Sequence, residues 1–124
     1  MSIKSKQLGR YGEDLASRYL EQKGYQILER NYRWARAEVD IIARKENLLI
    51  FVEVKTAASP AMGEPISWVH EKKQRQVALA AQHYLQAKEI HGLDCRFDVI
   101  GIIRKRGSFN ITHIENAFWL PPED

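Results

Sequence analysis

The chain has 124 residues, of which 44% are hydrophobic and 28% charged, with a formal net charge of +3. This length supports one hydrophobic core, so residues 1–124 are predicted to form a single domain, and the composition favours a globular chain over a disordered one. No apolar stretch approaches the roughly 20 residues that a membrane span needs, and a single cysteine, Cys95, excludes a disulfide framework. We therefore expect a cytoplasmic protein that has no membrane contact.

The first predicted element is an amphipathic helix. Its apolar side chains recur at steps of three and four residues: Leu8, Tyr11, Leu15 and Tyr19. The helix is predicted to end near Gly24, because glycine suits the left-handed conformation of a helix cap. Gly9 and Gly12 each cost roughly 1 kcal/mol relative to alanine inside a helix. They indicate either a frayed start or close packing of the backbone.

Three strands are predicted next, over residues 25–32, 38–44 and 48–56. The last two are rich in β-branched residues, and Lys45-Glu46-Asn47 is predicted to join them as a hairpin turn. Residues 57–65 contain prolines and a glycine and are predicted to form a loop.

The second half of the chain is predicted to hold one helix and two strands. An apolar stripe over residues 77–85 indicates the helix, and residues 95–103 form a buried strand that pairs with residues 109–114 across Gly107. Phe118, Trp119 and Leu120 are expected to fold back onto the core. The order αβββαβ with a final strand predicts an α/β fold, with a mixed central sheet flanked by helices.

Chemistry is concentrated between Glu38 and Lys55. Glu53 and Lys55 share one face of an apolar strand, and Asp40 lies as far before the hairpin turn as Glu53 lies after it. Acids opposite each other would have Cβ atoms about 4.5–5.5 Å apart. They would repel each other by a few kcal/mol, which favours a bound Mg²⁺ or Mn²⁺. The alternative is a salt-bridge network on an exposed sheet face.

The spacing of these residues is similar to that of a known superfamily. Asp40, followed after twelve residues by Glu53-Val54-Lys55, resembles the motif of the PD-(D/E)XK nucleases. Four blocks in order resemble the bacterial YraN-type proteins, which are similar to Holliday-junction resolvases: Gly9-x-x-Gly12-Glu13, Glu38-Val39-Asp40-Ile41-Ile42, Phe51-Val52-Glu53-Val54-Lys55-Thr56 and Arg96-Phe97-Asp98-Val99-Ile100. The resemblance covers nearly the whole chain and implies a restriction-endonuclease-like αβββαβ core.

The resemblance also implies roles for individual residues. Asp40, Glu53 and the Val54 carbonyl would hold Mg²⁺ or Mn²⁺. Lys55 would orient the attacking water or stabilise the pentacoordinate phosphate, and Glu13 would complete the site from the first helix. The implied activity is metal-dependent hydrolysis of DNA, on branched or repair intermediates and without a small-molecule cofactor.

Two other functions remain open at this point. The chain could be a nucleic-acid-binding adaptor that keeps the nuclease fold but does not cut. It could also be a protein-interaction module in which the charged cluster is purely structural. Divalent-metal binding that depends on Asp40 and Glu53 separates the first two functions from the third.

Four residues are candidates for contact with DNA. Arg33, Trp34 and Arg36 interleave cations with an aromatic ring, which suits unpaired bases and phosphates. Lys73 lies in line with the apolar stripe of the second helix and could reach the site or a scissile phosphate. The alternatives are that Trp34 caps the core and that Lys73 extends into water. Because the chain is small, a homodimer or a larger repair partner is expected to grip a junction.

Other polar residues are assigned to packing. Asp98 is predicted to be a structural acid rather than a ligand. The four histidines show no metal-ligand or triad spacing and are predicted to lie on the surface or in packing positions: His70, His83, His91 and His113.

Overall fold

The structure, a computed structural model, describes residues 5–57 and 69–118. Within these two ranges the chain forms two helices and five strands, in this order: α1 (Ser5–Gln22), β1 (Gln26–Trp34), β2 (Ala37–Lys45), β3 (Leu48–Ala57), α2 (Glu71–Ala87), β4 (Asp94–Lys105) and β5 (Ser108–Phe118). The predicted αβββαβ order and the final strand are confirmed. Ala57 is the last residue of β3 rather than part of a loop, while the rest of the predicted loop, Trp119 and Leu120 lie outside the described residues.

The five strands form one sheet in the order β1-β2-β3-β4-β5. β3 and β4 are parallel, and the other three neighbouring pairs are antiparallel. A parallel pair needs a long crossover, which α2 supplies between β3 and β4. The result is the predicted α/β fold with an αβββαβ core, a mixed sheet with helices on its faces.

The two helices cover opposite faces of the sheet. α1 packs through Ala16 and Leu20 on a cluster that contains Val52, whereas α2 packs through Val77 on a cluster that contains Phe51. Because Phe51 and Val52 are neighbours on β3, the two clusters lie on opposite faces. Within the described ranges 5–57 and 69–118, the structure has no helix that is both long and apolar enough to cross a membrane.

α1 approaches the sheet closely at one glycine. A Cβ atom built on Gly12 would overlap the methyl group of Thr56 on β3, whereas one built on Gly9 meets no described atom within 4 Å. Of the two predicted reasons for glycine in α1, close packing of the backbone therefore applies to Gly12. The absence of a side chain there allows the start of α1 to lie against the end of β3. At the other end of α1, Gly24 adopts a φ of +96° and forms the predicted cap.

The β2–β3 hairpin has the predicted register. Its pairs run from Lys45↔Leu48 to Ile41↔Val52, around a two-residue turn at Glu46 and Asn47. The ladder ends at Ile41↔Val52 although both strands continue. The strands therefore part at the positions of Asp40 and Glu53.

Asp98 is fully buried and bonded on both oxygens, as expected of a structural acid. Arg96 donates to Oδ1 and Oδ2 at 2.8 Å each, the Asn116 N–H donates to Oδ1 at 3.0 Å, and His113 Nε2 lies 2.8 Å from Oδ2. The network joins β4 to β5, and Tyr19 extends it to α1 through a 3.1 Å contact with His113 Nδ1.

Candidate active site

Asp40 lies at the point where β2 and β3 separate. Its Oδ2 accepts a hydrogen bond of 2.8 Å from the Val54 N–H, which no longer has a β2 backbone partner in the ladder. In a strand, the N–H and C=O of one residue point toward the same neighbouring strand. The Val54 carbonyl therefore faces the same gap as Asp40, as its predicted role as a metal ligand requires.

The side chains of β2 do not alternate regularly between the two faces of the sheet around Asp40. Val39 and Ile42 both pack in the cluster beneath α2, whereas Ile41 packs in the cluster beneath α1. A regular strand would put residues 39 and 42 on opposite faces. The irregularity, together with the separation of the strands, opens the gap into which Asp40 projects.

Glu53 is the most deeply buried acid of this gap. Its side chain is 1% exposed, and its Oε1 has no hydrogen-bond partner among the described residues. Burial, followed by repulsion from Asp40, raises the pKa of Glu53 to about 8, against the attraction of Lys73 and Lys55. Burial also raises the pKa of Asp40, although the Val54 hydrogen bond opposes this. The fold therefore holds two acids together where both are costly to ionise.

Two lysines act on this pair of acids. Lys73 comes from α2, and its Nζ lies 3.8 Å from Glu53 Oε2. Lys55 lies two residues after Glu53 on β3, hence on the same face, and its charge opposes the rise in the pKa of both acids. The predicted juxtaposition of Asp40, Glu53 and Lys55 is present, and Lys73 joins it.

Glu13 reaches the same region from α1. Burial, followed by the Asp40 charge, raises the pKa of Glu13. The Asn31 amide, oriented with its nitrogen toward the acids, donates to Glu13 Oε1 and Glu38 Oε1 at 3.0 Å each. Arg30 Nη2 lies 4.0 Å from Glu13 Oε2. Glu13 is thus held by Asn31 and Arg30, within electrostatic reach of Asp40.

The metal-binding potential of the site comes from two acids rather than three. Nowhere in residues 5–57 and 69–118 do three or more His, Cys, Asp or Glu side chains converge as a metal cluster would require. Glu13 is therefore an outer member of the site. Asp40, Glu53 and a backbone carbonyl form an all-oxygen donor set, and such a set suits Mg²⁺, which keeps several waters and uses one or two carboxylates.

The predicted DNA-contacting residues lie at the same end of the sheet. Trp34 ends β1, and Ala35 and Arg36 form the turn into β2. Trp34 is 40% exposed, so it does not cap the core. Arg33 is exposed, and its Nε lies 3.4 Å from Glu38 Oε2.

Three contributors to the site were missed at the sequence level. Glu38 bonds Asn31 and pairs with Arg33, and His83 lies against Trp34 at a ring-centroid distance of 5.0 Å. Asn31 has a φ of 55° inside a strand. Asparagine is depleted in strands and tolerates the left-handed region, so its position within β1 was a signal that could have been used.

Known proteins resemble the chain over most of its length. The sequence profile of the uncharacterised protein family UPF0102 matches residues 12–102. A UPF0102 protein of Christiangramia forsetii is 45% identical over 113 residues, 91% of this chain and 94% of its own length. A UPF0102 protein of Chlorobium chlorochromatii is 48% identical over 120 residues, 92% of each chain. The chain belongs to the UPF0102 family, the YraN-type proteins whose motifs it carries.

One solved structure is distantly similar. SfsA of Pyrococcus furiosus, in complex with Ca²⁺, is 18% identical, with a TM-score of 0.36 over 91% of this chain and 64% of that one. A TM-score this low supports no conclusion about this chain.

Proposed function

We propose that this member of the UPF0102 family is a cytoplasmic, metal-dependent endonuclease that hydrolyses phosphodiester bonds in branched DNA or repair intermediates. The observation that carries the proposal is the Glu53 carboxylate, which is almost fully buried beside Asp40 with one oxygen unpartnered among the described residues. An ionised group in such a place costs several kcal/mol unless a charge or a metal compensates it. A divalent cation would supply that compensation.

The donor set fits Mg²⁺ or Mn²⁺. Asp40 is held in place by the Val54 N–H, Glu53 offers its unpartnered Oε1, and the Val54 carbonyl faces the same gap. Hard oxygen donors with room for water are the ligands that these two cations prefer. When bound, the cation would polarise the phosphate and make a coordinated water more acidic.

The protein's own side chains have separate tasks in this proposal. Lys55 would stabilise the negative charge that develops on the phosphate or orient the attacking water, because it shares the face of Glu53. Lys73, 3.8 Å from Glu53, keeps the site from being purely anionic and lies where it can reach a phosphate. Glu13 would help to order water beside Asp40, and Asn31 holds its carboxylate toward the site.

The surface around the site suits an anionic polymer. This end of the sheet brings together the ends of β1, β3 and β4 and the start of α2. The parallel pair Ala57↔Ile103 places the ends of β3 and β4 side by side, and the Lys73–Glu53 contact places the start of α2 next to β3. These elements carry basic residues that would contact phosphates: Arg33, Arg36, Lys72, Lys73, Arg75, Arg104 and Lys105. A small chain covers little DNA, so a second copy or a larger repair partner would complete the grip on a junction.

The test is cleavage of labelled single-stranded, duplex, flap and four-way-junction DNA in Mg²⁺ or Mn²⁺. The wild type should cut at least one of the structured substrates, and Asp40→Asn, which keeps the shape of the side chain, should not. If the wild type binds these DNAs but cuts none of them, the adaptor function replaces the proposed one. If it binds neither DNA nor divalent metal, the charged cluster is structural.

A further inference from the structure

A cavity of about 370 Å³ opens beside the turn between β1 and β2. Its walls come from that turn and from one face of α2: Trp34, Ala35, Arg36, Ala37, Gln76 and Leu79. Two large apolar side chains stay open to solvent there, since Trp34 is 40% and Leu79 49% exposed. Adjacent exposed apolar side chains around a concavity are typical of a binding site.

One face of the Trp34 ring is packed against other aromatic side chains. Its ring stacks on His83 with centroids 5.0 Å apart and planes 16° apart, and His83 Nδ1 lies 2.6 Å from the Tyr32 hydroxyl. Tyr32 in turn packs edge-on against the buried Tyr84. A chain of aromatic contacts therefore connects the exposed indole to the core, so little side-chain freedom is lost when a ligand stacks on it.

The turn that presents Trp34 is strained. Ala35 has a φ of 54°, a left-handed conformation that costs an L-residue other than glycine or asparagine roughly 1–2 kcal/mol. A two-residue hairpin turn favours such a conformation, which Glu46 also adopts in the turn between β2 and β3. Between β1 and β2 it holds Trp34 and Arg36 at the rim of one cavity.

The cavity adjoins the proposed active site along two elements. On β2, Ala37 in its wall lies three residues before Asp40, which is about 10 Å along a strand. On α2, Gln76 in its wall lies three residues after Lys73, a rise of about 4.5 Å. A nucleotide that flanks a phosphate at Asp40 and Glu53 is therefore within reach of the cavity.

We propose that this cavity takes an unpaired nucleobase of the DNA strand whose phosphate lies at Asp40 and Glu53. The inference rests on the proposed function of that site and names its substrate class, DNA with a single-stranded segment beside the scissile bond. Aromatic rings stack on every base, and Arg36 adds a cation that suits both the base and its phosphates. Gln76 contributes an amide that can donate to and accept from a base edge.

The chemistry of the cavity disfavours a base in intact duplex. A paired base reaches such a pocket only by leaving its stack, at a cost in unpairing and unstacking, whereas a base in a flap or a junction has little of that cost. The cavity would thus select structured DNA without reading its sequence.

The test is equilibrium binding of a flap DNA that carries 2-aminopurine next to the duplex boundary, in Ca²⁺ to suppress cleavage, beside a blunt duplex of equal length. Trp34→Ala should weaken flap binding about tenfold and leave duplex binding unchanged, because stacking of one base on an aromatic side chain has effects of that order. The wild type should quench the 2-aminopurine fluorescence, and Trp34→Phe should keep most of both effects.

A second variant distinguishes a specific effect on the cavity from a general effect on folding. Leu79 is exposed, so Leu79→Trp should fold normally, fill the cavity and reduce flap binding in the same selective way. The proposal is overturned if both Trp34→Ala and Leu79→Trp bind the two DNAs like the wild type, or weaken both equally.

The binding assay separates this inference from the proposed activity. If the wild type cuts no DNA while the two variants selectively lose flap binding, the nuclease activity is refuted and the base site is supported. Normal cleavage together with equal loss on flap and duplex would refute the base site alone.

Discussion

The Asp40 carboxylate accepts a hydrogen bond of 2.8 Å from the Val54 N–H, and these residues lie one and two positions beyond Ile41↔Val52, the last backbone pair between β2 and β3. The side chain thereby replaces a backbone acceptor where the strands separate, and it fixes the gap that Glu53 and the Val54 carbonyl share. Asp40 has a structural task as well as its proposed task in metal binding, and suitable substitutions can separate the two.

Asp40→Ala should lower the free energy of unfolding by about 1–3 kcal/mol, because it leaves the Val54 N–H without its acceptor. Asp40→Asn retains an acceptor oxygen and should stay within about 1 kcal/mol of the wild type. Both should lose Mn²⁺ binding. Urea unfolding in a chelating buffer and titration calorimetry with Mn²⁺ measure the two effects, and an Asn variant that binds Mn²⁺ like the wild type would remove Asp40 from the metal site.

Divalent metal should stabilise the wild type and leave Glu53→Gln unaffected. A ligand that binds only the folded state at 100 times its dissociation constant adds about 2.7 kcal/mol of stability. The glutamine keeps the size of the side chain while it removes the charge, so the comparison isolates the ligand. Thermal unfolding with and without Mn²⁺ measures the effect. An equal increase in Tm for both proteins would show that the cation binds elsewhere.

Gly12→Ala and Gly9→Ala should shift stability in opposite directions. A methyl group at position 12 would collide with Thr56, and such overpacking typically costs 1–3 kcal/mol, about the range expected here. At position 9 the added Cβ meets no described atom within 4 Å, so the higher helix propensity of alanine should add up to about 1 kcal/mol. Urea unfolding measures both, and a neutral Gly12→Ala would mean that α1 does not pack on β3 this closely.

The Asp98 network should stabilise the fold at neutral pH but not in acid. Burial acts to raise the pKa of Asp98, but His113, Arg96 and the Asn116 N–H outweigh it and hold the pKa of Asp98 below its usual value. The stabilisation is therefore complete above about pH 4 and is lost as the pH falls through the folded-state pKa. Asp98→Asn should cost about 3 kcal/mol at pH 7.

That difference should shrink as the pH falls, because the stabilisation is lost as the folded wild type takes up a proton at Asp98. Urea unfolding from pH 2 to pH 7 follows it. A difference between the two proteins that does not change with pH would mean that the charge of Asp98 contributes nothing.

The sequence predicted most of the fold because its signals are local. Alternating β-branched residues on both sides of a turn sufficed for the hairpin register, although Lys45 pairs within β2 rather than forming part of the predicted turn, and the ladder ends at Ile41↔Val52, just before Asp40 and Glu53. The helix stripes and the Gly24 cap are likewise readable from neighbouring residues. The sequence indicated that a glycine of α1 packs closely but not which one. That Gly12 does so rather than Gly9 depends on Thr56, 44 positions away along the chain.

The rest of the site depends on contacts between distant segments. The ion pair of Lys73 with Glu53 and the stacking of His83 beneath Trp34 are set by how α2 crosses the sheet, which no local pattern specifies. The irregular alternation at Asp40 is also non-local, because it accompanies the left-handed Asn31 on the neighbouring strand.

The most direct test of the proposed activity compares the wild type with Lys55→Ala on the DNA substrate that the wild type cuts fastest, in Mg²⁺ under single-turnover conditions. Mn²⁺ and DNA binding serve as controls, since Lys55 is not proposed to hold the metal. We predict that both kinds of binding persist while cleavage falls by about 10²-fold or more, the usual effect of removing one group that stabilises a developing charge. Cleavage by Lys55→Ala at the wild-type rate would contradict the proposed active site.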